Sequence, residues 1–265
     1  MDSESSVPAV ALNLDPSLPE EIRRGPSALV VPGTHELARP LIEAEARIFP
    51  EAIQLFGGVD DDPMFHFLVI VVDSEARHVM RMSGPGPLAG VGGRLPFFVS
   101  DLIDAGRQIT LTELDTYYAL SQMRMERMIS IETNFRLGPQ LEGIRSADLC
   151  YLALFAVGFG NEADGVLAHL NAPAIRSLDR VGVRWHRLAG REDLGTPTVD
   201  AEGNVSLDPS YFPICIPRRD PDNEQLVEDM APFTPPVHYV GREPVVHIPE
   251  PAVDLREPDV AERER

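Results

Sequence analysis

The stretch HLNAPAIRSLDRVGVRW, His169 to Trp185, places a strand, a helix and a second strand within seventeen residues. It closes a strand-like run that begins at Gly165. Asn171 followed by Ala-Pro has the pattern of a helix N-cap. The Asn side chain can accept from an orphan N–H of the first turn, and an early Pro has no N–H to leave unpaired. Ala174, Leu178 and Gly182 follow at steps of three, four and four. Gly182 suits the left-handed residue that ends a helix, and Val183 to Leu188 returns as a strand. A chain that switches so quickly between helical and strand periods predicts an α/β domain.

Upstream of this stretch, Ser146 is placed to cap a strongly apolar helix, ADLCYLALFAVGFG, ending near Gly160. Gly138 to Gly143 breaks the chain before it, and Ile129 to Leu137 alternates as a strand. Leu95 to Met128 has helix-compatible spacing, and the Gly/Pro-rich Ser83 to Arg94 reads as a connector or substrate lid. Phe65–Val72 and His78–Met82 form a β-hairpin turned by Asp73–Arg77. Before the hairpin come a strand, Ser27–Val31, and a helix capped by Thr34 and running to Phe49. Downstream, Thr198 to Asn204 is a turn-rich connector and Tyr211–Ile216 a last strand. The expected division is a flexible lead over 1–26, a domain over 27–217 with an insert at 83–128, and an acidic Pro-rich tail over 218–265. That tail lacks periodicity and reads as a solvated segment or a strap across the domain.

Composition narrows the function classes. The net charge is −19, so nucleic acid is not an expected partner, because neutralising phosphates needs a basic face. All 23 basic residues are Arg. A Schiff-base lysine and a Walker-type phosphate lysine are therefore excluded. Cys150 and Cys215 sit apart in apolar runs and read as buried thiols, and no Cys/His spacing suggests a metal. No run approaches the ~20 apolar residues that span a bilayer, and the acidic first residues are unlike a signal peptide, so a cytoplasmic protein is expected. Between Arg124 and Arg191, nine Arg face seven acidic residues, so the acidity concentrates elsewhere.

The order of elements, with Gln140-x-x-Gly143-x-Arg145 ahead of one helix and Asn171-x-x-Ala174-x-x-x-Leu178-x-x-x-Gly182-Val183 on the next, resembles the Gcn5-related N-acetyltransferase (GNAT) superfamily. Within it, the acyl-homoserine-lactone (autoinducer) synthases and long-chain N-acyl amino acid synthases are the nearer branch. They too carry helical segments after the hairpin. Ile131-Glu132-Thr133-Asn134-Phe135-Arg136 resembles their E-x-S-R strand without the Ser-Arg pair, and Arg47-Ile48-Phe49 resembles the end of their first helix. The resemblance spans roughly Ala28 to Pro217. It implies a GNAT-like mixed, mostly antiparallel sheet flanked by helices. It also implies a donor, acyl-CoA or acyl-phosphopantetheine on an acyl-carrier protein, an amine acceptor such as an amino acid, and no metal.

Under that resemblance Leu137, Gly138, Gln140, Gly143, Arg145 and Ser146 would cradle the donor's phosphates at a helix N-terminus, where N–H groups and the helix dipole favour anions. Gly143 would allow close backbone approach, and Arg145 a charge-assisted contact. Arg145 stands where the family has Gly or Ala and reads equally as a solvated side chain. Asn171 and Ala174 would meet the donor from the second helix, Asn171 serving also as a cap. Glu132 is the candidate general base, taking a proton from the acceptor amine; it reads equally as a strand carboxylate paired with Arg136 or Arg127. Backbone N–H groups around 137–140 are candidates for an oxyanion hole. His169 is the second catalytic candidate. Leu178 replaces the Tyr that protonates the leaving thiolate in many relatives, which opens an alternative: a catalytically inactive GNAT-like protein that binds a ligand or partner. An ordinary acetyltransferase acting on a small amine is a third reading. Phe97, Phe98, Leu102, Tyr117, Tyr118, Met123, Met125 and Met128 are candidates for an acyl tunnel or for core.

Overall fold

The computed structural model describes residues 8–14, 16, 18–49, 65–84, 127–140, 142–143, 145–160, 163–187, 196–199, 205–208 and 211–241. Its centre is a nine-stranded mixed sheet. In chain order the strands are β1 (Val10–Ala11), β2 (Ser27–Pro32), β3 (His66–Val72), β4 (Glu75–Ser83), β5 (Met128–Arg136), β6 (Gly165–Asn171), β7 (His186–Arg187), β8 (Thr196–Val199), β9 (Val205–Asp208), β10 (Tyr211–Pro217) and β11 (Val237–Tyr239). The helices are α1 (Glu20–Arg24), α2 (Ala38–Ile48), α3 (Ser146–Gly160), α4 (Ala172–Val181) and α5 (Pro221–Met230). The sheet order is β11-β2-β3-β4-β5-β6-β10-β7, with β1 beside β4; β8 and β9 form a separate hairpin. Among the described strands only β11–β2 and β5–β6 pair in parallel. This is the mixed, mostly antiparallel sheet flanked by helices expected from the sequence.

Two apolar layers sandwich the sheet. On one side α3 and α4 pack over Leu68, Ile70, Met80, Met82, Ile129 and Ile131. α3 is apolar around most of its circumference, as a helix covered by both sheet and neighbouring helices must be. On the other side α1 and α2 cover Leu29, Val31, Phe67, Val69, Val71 and Val79. The all-buried β3 carries alternate residues into both layers, which is why it reads as a continuous apolar run.

Several expectations change. The hairpin turn is only Asp73-Ser74, both at positive φ, and β4 begins at Glu75 rather than His78. Two central residues at positive φ match the right-handed twist of the strands. Thr34 does not cap α2. Turns at 33–37 intervene, and His35 Nδ1 accepts from the N–H of Leu37, the residue before the helix. Ser146 is the first residue of α3 rather than its cap. Met128 opens β5 and is fully buried in the sheet. The other insert residues proposed for a tunnel, and the helix over 95–126, lie outside the described residues. Of the strand expected from Val183, the described residues to Arg187 form only the two-residue β7, and β8–β9 flank what reads as a connector.

The described parts of the expected lead and tail also differ. Val10 and Ala11 pair with Ala76 and Glu75, taking up the edge of β4 where β5 has ended, and Leu12, Leu14 and Ile22 are buried. The lead therefore packs, because it covers an otherwise open stretch of strand. After Pro217, α5 begins at an Asp220 N-cap whose side chain accepts from Asp222 N–H. β11 then pairs with β2 at the far edge of the sheet. Asn223 ties the segment down through the backbone of Arg184 and Pro217.

Candidate functional site

Strand β5 creates the site. Its parallel pairing with β6 runs only from Met128–Gly165 to Ile131–Ala168, after which the two strands diverge. At the same point the pairing with β4 slips: Arg81 faces Thr133 while Met82 faces Ile131, so Glu132 is an extra, bulged residue. A one-residue bulge reverses the alternation. Ile129 and Ile131 belong to the α3 layer, whereas beyond the bulge Phe135 belongs to the α2 layer and Thr133 bonds to Glu45 on α2. Asn134 is thereby turned towards α3, where it bonds to Tyr151.

The divergence opens a cavity of about 740 Å³. It is bounded by the end of β5 (Asn134, Phe135, Arg136), the following loop (Gly138, Gln140, Arg145), the start of α3 (Ser146, Ala147, Tyr151) and the start of α4 (Asn171, Ala174, Ser177). Six of the residues that the resemblance proposes for donor binding thus line one space: Gly138, Gln140, Arg145, Ser146, Asn171 and Ala174. The first N–H groups of α3 lack intrahelical acceptors, and Ser146 and Ala147 place that end at the cavity. Arg145 is exposed beside it and forms no ion pair among the described residues. Arg180 also reaches the cavity but forks onto Asp148, at 2.8 and 3.2 Å, and bonds Ser177.

Other proposed residues are placed elsewhere. Leu137 is fully buried in the α2 layer, and its N–H bonds the Arg77 carbonyl at 3.0 Å, so that N–H is not available to an oxyanion. Gly138 needs its φ of +66°, and a Cβ there would sit 3.0 Å from Ala9; its constraint comes from the N-terminal strand. Gly143 has φ +71° with open space around it and does not border the cavity. Asn171 caps α4, its Oδ1 accepting from Ala174 N–H at 3.1 Å, while also lining the cavity. Leu178 is fully buried in the core under α4. Glu132 stands at the bulge, half-buried, and accepts from the Ser130 hydroxyl at 2.7 Å. The backbone of His169 pairs with Pro213 in β10.

Sequence reasoning missed the floor of the cavity. His78 on β4 is fully enclosed; its Nε2 lies 2.5 Å from Asn134 Oδ1 and its Nδ1 3.4 Å from Ser146 Oγ. Asn134 Nδ2 donates to the Tyr151 hydroxyl at 2.9 Å. Burial lowers the His78 pKa to about 4, so the ring is neutral near pH 7. Burial likewise pushes the Tyr151 hydroxyl up, keeping it protonated. A His and a Tyr in apolar surroundings were the available signal, but their meeting depends on strand register.

On the α2 side of β5 lies a charged counterpart. Glu45 Oε1 is 3.3 Å from Arg81 Nε and accepts from Thr133 Oγ1 at 2.5 Å. Both charged side chains are almost wholly buried. Burial raises the Glu45 pKa, against the opposing pull of Arg81 and Thr133. Among the described residues no group of His, Cys, Asp and Glu is arranged to hold a metal ion, and no helix is long and apolar enough to cross a membrane.

No family model matches the chain, and no curated protein matches it. Solved structures with a similar chain path include the CoA-dependent acyl-homoserine lactone synthase MesI. Its TM-score is 0.44 at 13% identity, over 77% of this chain and 95% of that one. Another is BjaI, also a CoA-dependent acyl-homoserine lactone synthase, with SAM and isopentyl-CoA. It gives 0.44 at 10% identity, over 83% and 95%. The aminoglycoside acetyltransferase AAC(6')-Ib, in complex with coenzyme A and kanamycin, gives 0.37 at 10% identity, over 77% and 99%.

Proposed function

We propose that the protein is an N-acyltransferase that moves an acyl group from a phosphopantetheine thioester, acyl-CoA or acyl-carrier protein, to the amine of an amino acid or similar small molecule. The observation that carries this reading is the single cavity where β5 and β6 part. It joins the N-terminus of α3, an Arg145 without an ion pair among the described residues, and the N-terminus of α4. A helix N-terminus with a nearby guanidinium suits phosphates, and diverging strands leave room for the extended arm of the donor. The acceptor amine must be neutral to attack the thioester carbon. Glu132, at the bulge and outside the cavity lining, takes its proton through a bridging water, the C–N bond forms, and the C–S bond breaks with its electron pair leaving on sulfur.

The test is titration of the protein with acetyl-, octanoyl- and palmitoyl-CoA, read by native mass spectrometry and thermal shift, followed by thiol release with a panel of amines. Selective stabilisation by a long-chain thioester supports the synthase reading, and preference for acetyl-CoA moves it to a small acetyltransferase. No binding by any CoA leaves only a carrier-protein donor or a non-enzymatic role. In an active protein Glu132→Gln is expected to lower kcat by roughly 10²–10⁴-fold; unchanged kcat removes Glu132 as base. The burial of Leu178 favours a second reading, a ligand-binding protein without turnover, because that position offers no proton to a thiolate. Donor binding with no thiol release across the amines would select it.

A further inference from the structure

The cavity floor is a chain of hydrogen bonds with a direction. Asn134 Oδ1 can only accept, so His78 Nε2 carries the proton of the neutral ring. Nδ1 is then the acceptor that faces the Ser146 hydroxyl. Asn134, fixed by His78, donates through Nδ2 to the Tyr151 oxygen. Every step passes its donor the same way, from Ser146 through His78 and Asn134 to Tyr151. The Tyr151 hydroxyl therefore accepts from Asn134 and has no acceptor for its own hydrogen among the described residues. Tyr151 borders the cavity five residues after Ser146, about 7.5 Å further along the axis of α3. A buried hydroxyl left with an unused donor is costly unless something supplies an acceptor.

We propose that Tyr151, oriented by Asn134 and His78, donates a hydrogen bond to an amide carbonyl of the donor's pantetheine arm. This rests on the thioester-donor reading above. The groups around Tyr151 in the chain are neutral, whereas Arg136, Arg145 and Arg180 border the cavity elsewhere. A neutral, directional donor suits an amide oxygen, and the guanidiniums and the helix end suit the phosphates. Tyr151 then distinguishes a pantetheine thioester from a simple one. Its contribution is to donor binding, and it leaves the bond-making step to other groups.

The experiment compares the wild type with Tyr151→Phe on three donors bearing the same acyl group: the CoA thioester, the pantetheine thioester, and the S-ethyl thioester, which has no amide. Loss of one hydrogen bond is expected to raise KM about 5–10-fold for the first two, with kcat little changed and the S-ethyl donor unaffected. Equal effects on all three donors, or none on any, overturn the proposal. In the wild type alone, CoA must bind more tightly than 3′-phosphoadenosine 5′-diphosphate, which keeps phosphates and lacks the arm. Equal affinities overturn the proposal even if Tyr151→Phe does not fold. If neither compound binds and no thioester is turned over, the reading of free CoA as donor falls. If CoA is turned over and Tyr151→Phe behaves as wild type, only the role of Tyr151 falls.

Discussion

The two faces of β5 bury polar groups in opposite ways. Towards α2, Glu45, Arg81 and Thr133 form a charged cluster in which Glu45 Oε2 and Arg81 Nε have no hydrogen-bond partner among the described residues. Towards α3, His78, Asn134 and Tyr151 form a neutral chain in which each side chain has a partner and only the Tyr151 hydrogen lacks an acceptor among the described residues. Both lie within two residues of the Glu132 bulge on the strand. A charge pair out of water must recover a large desolvation cost and is most fragile when one member is lost. A neutral chain costs less to bury and holds geometry instead. The charged face thus sets stability around the bulge, and the neutral face shapes a surface at which a ligand can be oriented.

Breaking the charged face is expected to have the largest effect. Arg81→Met strands the Glu45 carboxylate and removes the guanidinium from over the Phe65 ring. Urea unfolding at pH 7 should show a loss of about 3 kcal/mol, smaller at acid pH where Glu45 takes up a proton. Adding Glu45→Gln should restore most of it. A double variant no more stable than Arg81→Met would mean that packing of the Arg stem, not charge, is what counts there.

The neutral face should show itself in pH dependence. Folded His78 binds its proton only near pH 4, against 6.5 for the free group. Between those values the unfolded chain holds more protons than the folded one. Stability contributed by the neutral ring is therefore complete above pH 6.5 and is lost as pH falls towards 4, by about 3 kcal/mol in all. Unfolding free energies across this range should fall more steeply for the wild type than for His78→Gln, whose amide can still donate to Asn134. Parallel slopes would place the ring in contact with water.

The smallest effect sharpens the comparison at the cavity rim. Asn171→Ala should cost about 1 kcal/mol through loss of the Ala174 N–H bond. If it also weakens CoA binding several-fold, Asn171 serves the ligand as well as the helix; unchanged binding restricts it to the cap.

Much of this architecture was legible because it is local. The cap at Asn171, the left-handed Gly182 with φ +88°, the long apolar α3 and the run of β3 each follow from residues within one turn or one strand. The gathering of Gly138, Gln140, Arg145, Ser146, Asn171 and Ala174 around one cavity follows from placing two helix starts after two adjacent strands. The packing of the segments that hold β1 and β11 was not legible, because these strands are too short to show periodicity and exist only by pairing with an edge. Leu137, which the resemblance places with the donor, instead extends the ladder through its N–H to Arg77.

By itself the sequence determined the order of the central strands and helices, the cap and the end of α4, and the absence of any lysine chemistry, since each depends on near neighbours or on composition. Only the tertiary structure decided what β5 presents to each side. A bulge is defined by the partner strand, and Glu132 becomes the extra residue only when β4 slips by one against β5. That single slip sends Thr133 to Glu45, 88 residues away, and Asn134 to His78, 56 residues away. Register couples residues that no local pattern connects, so the polar floor of the cavity emerged with the folded sheet.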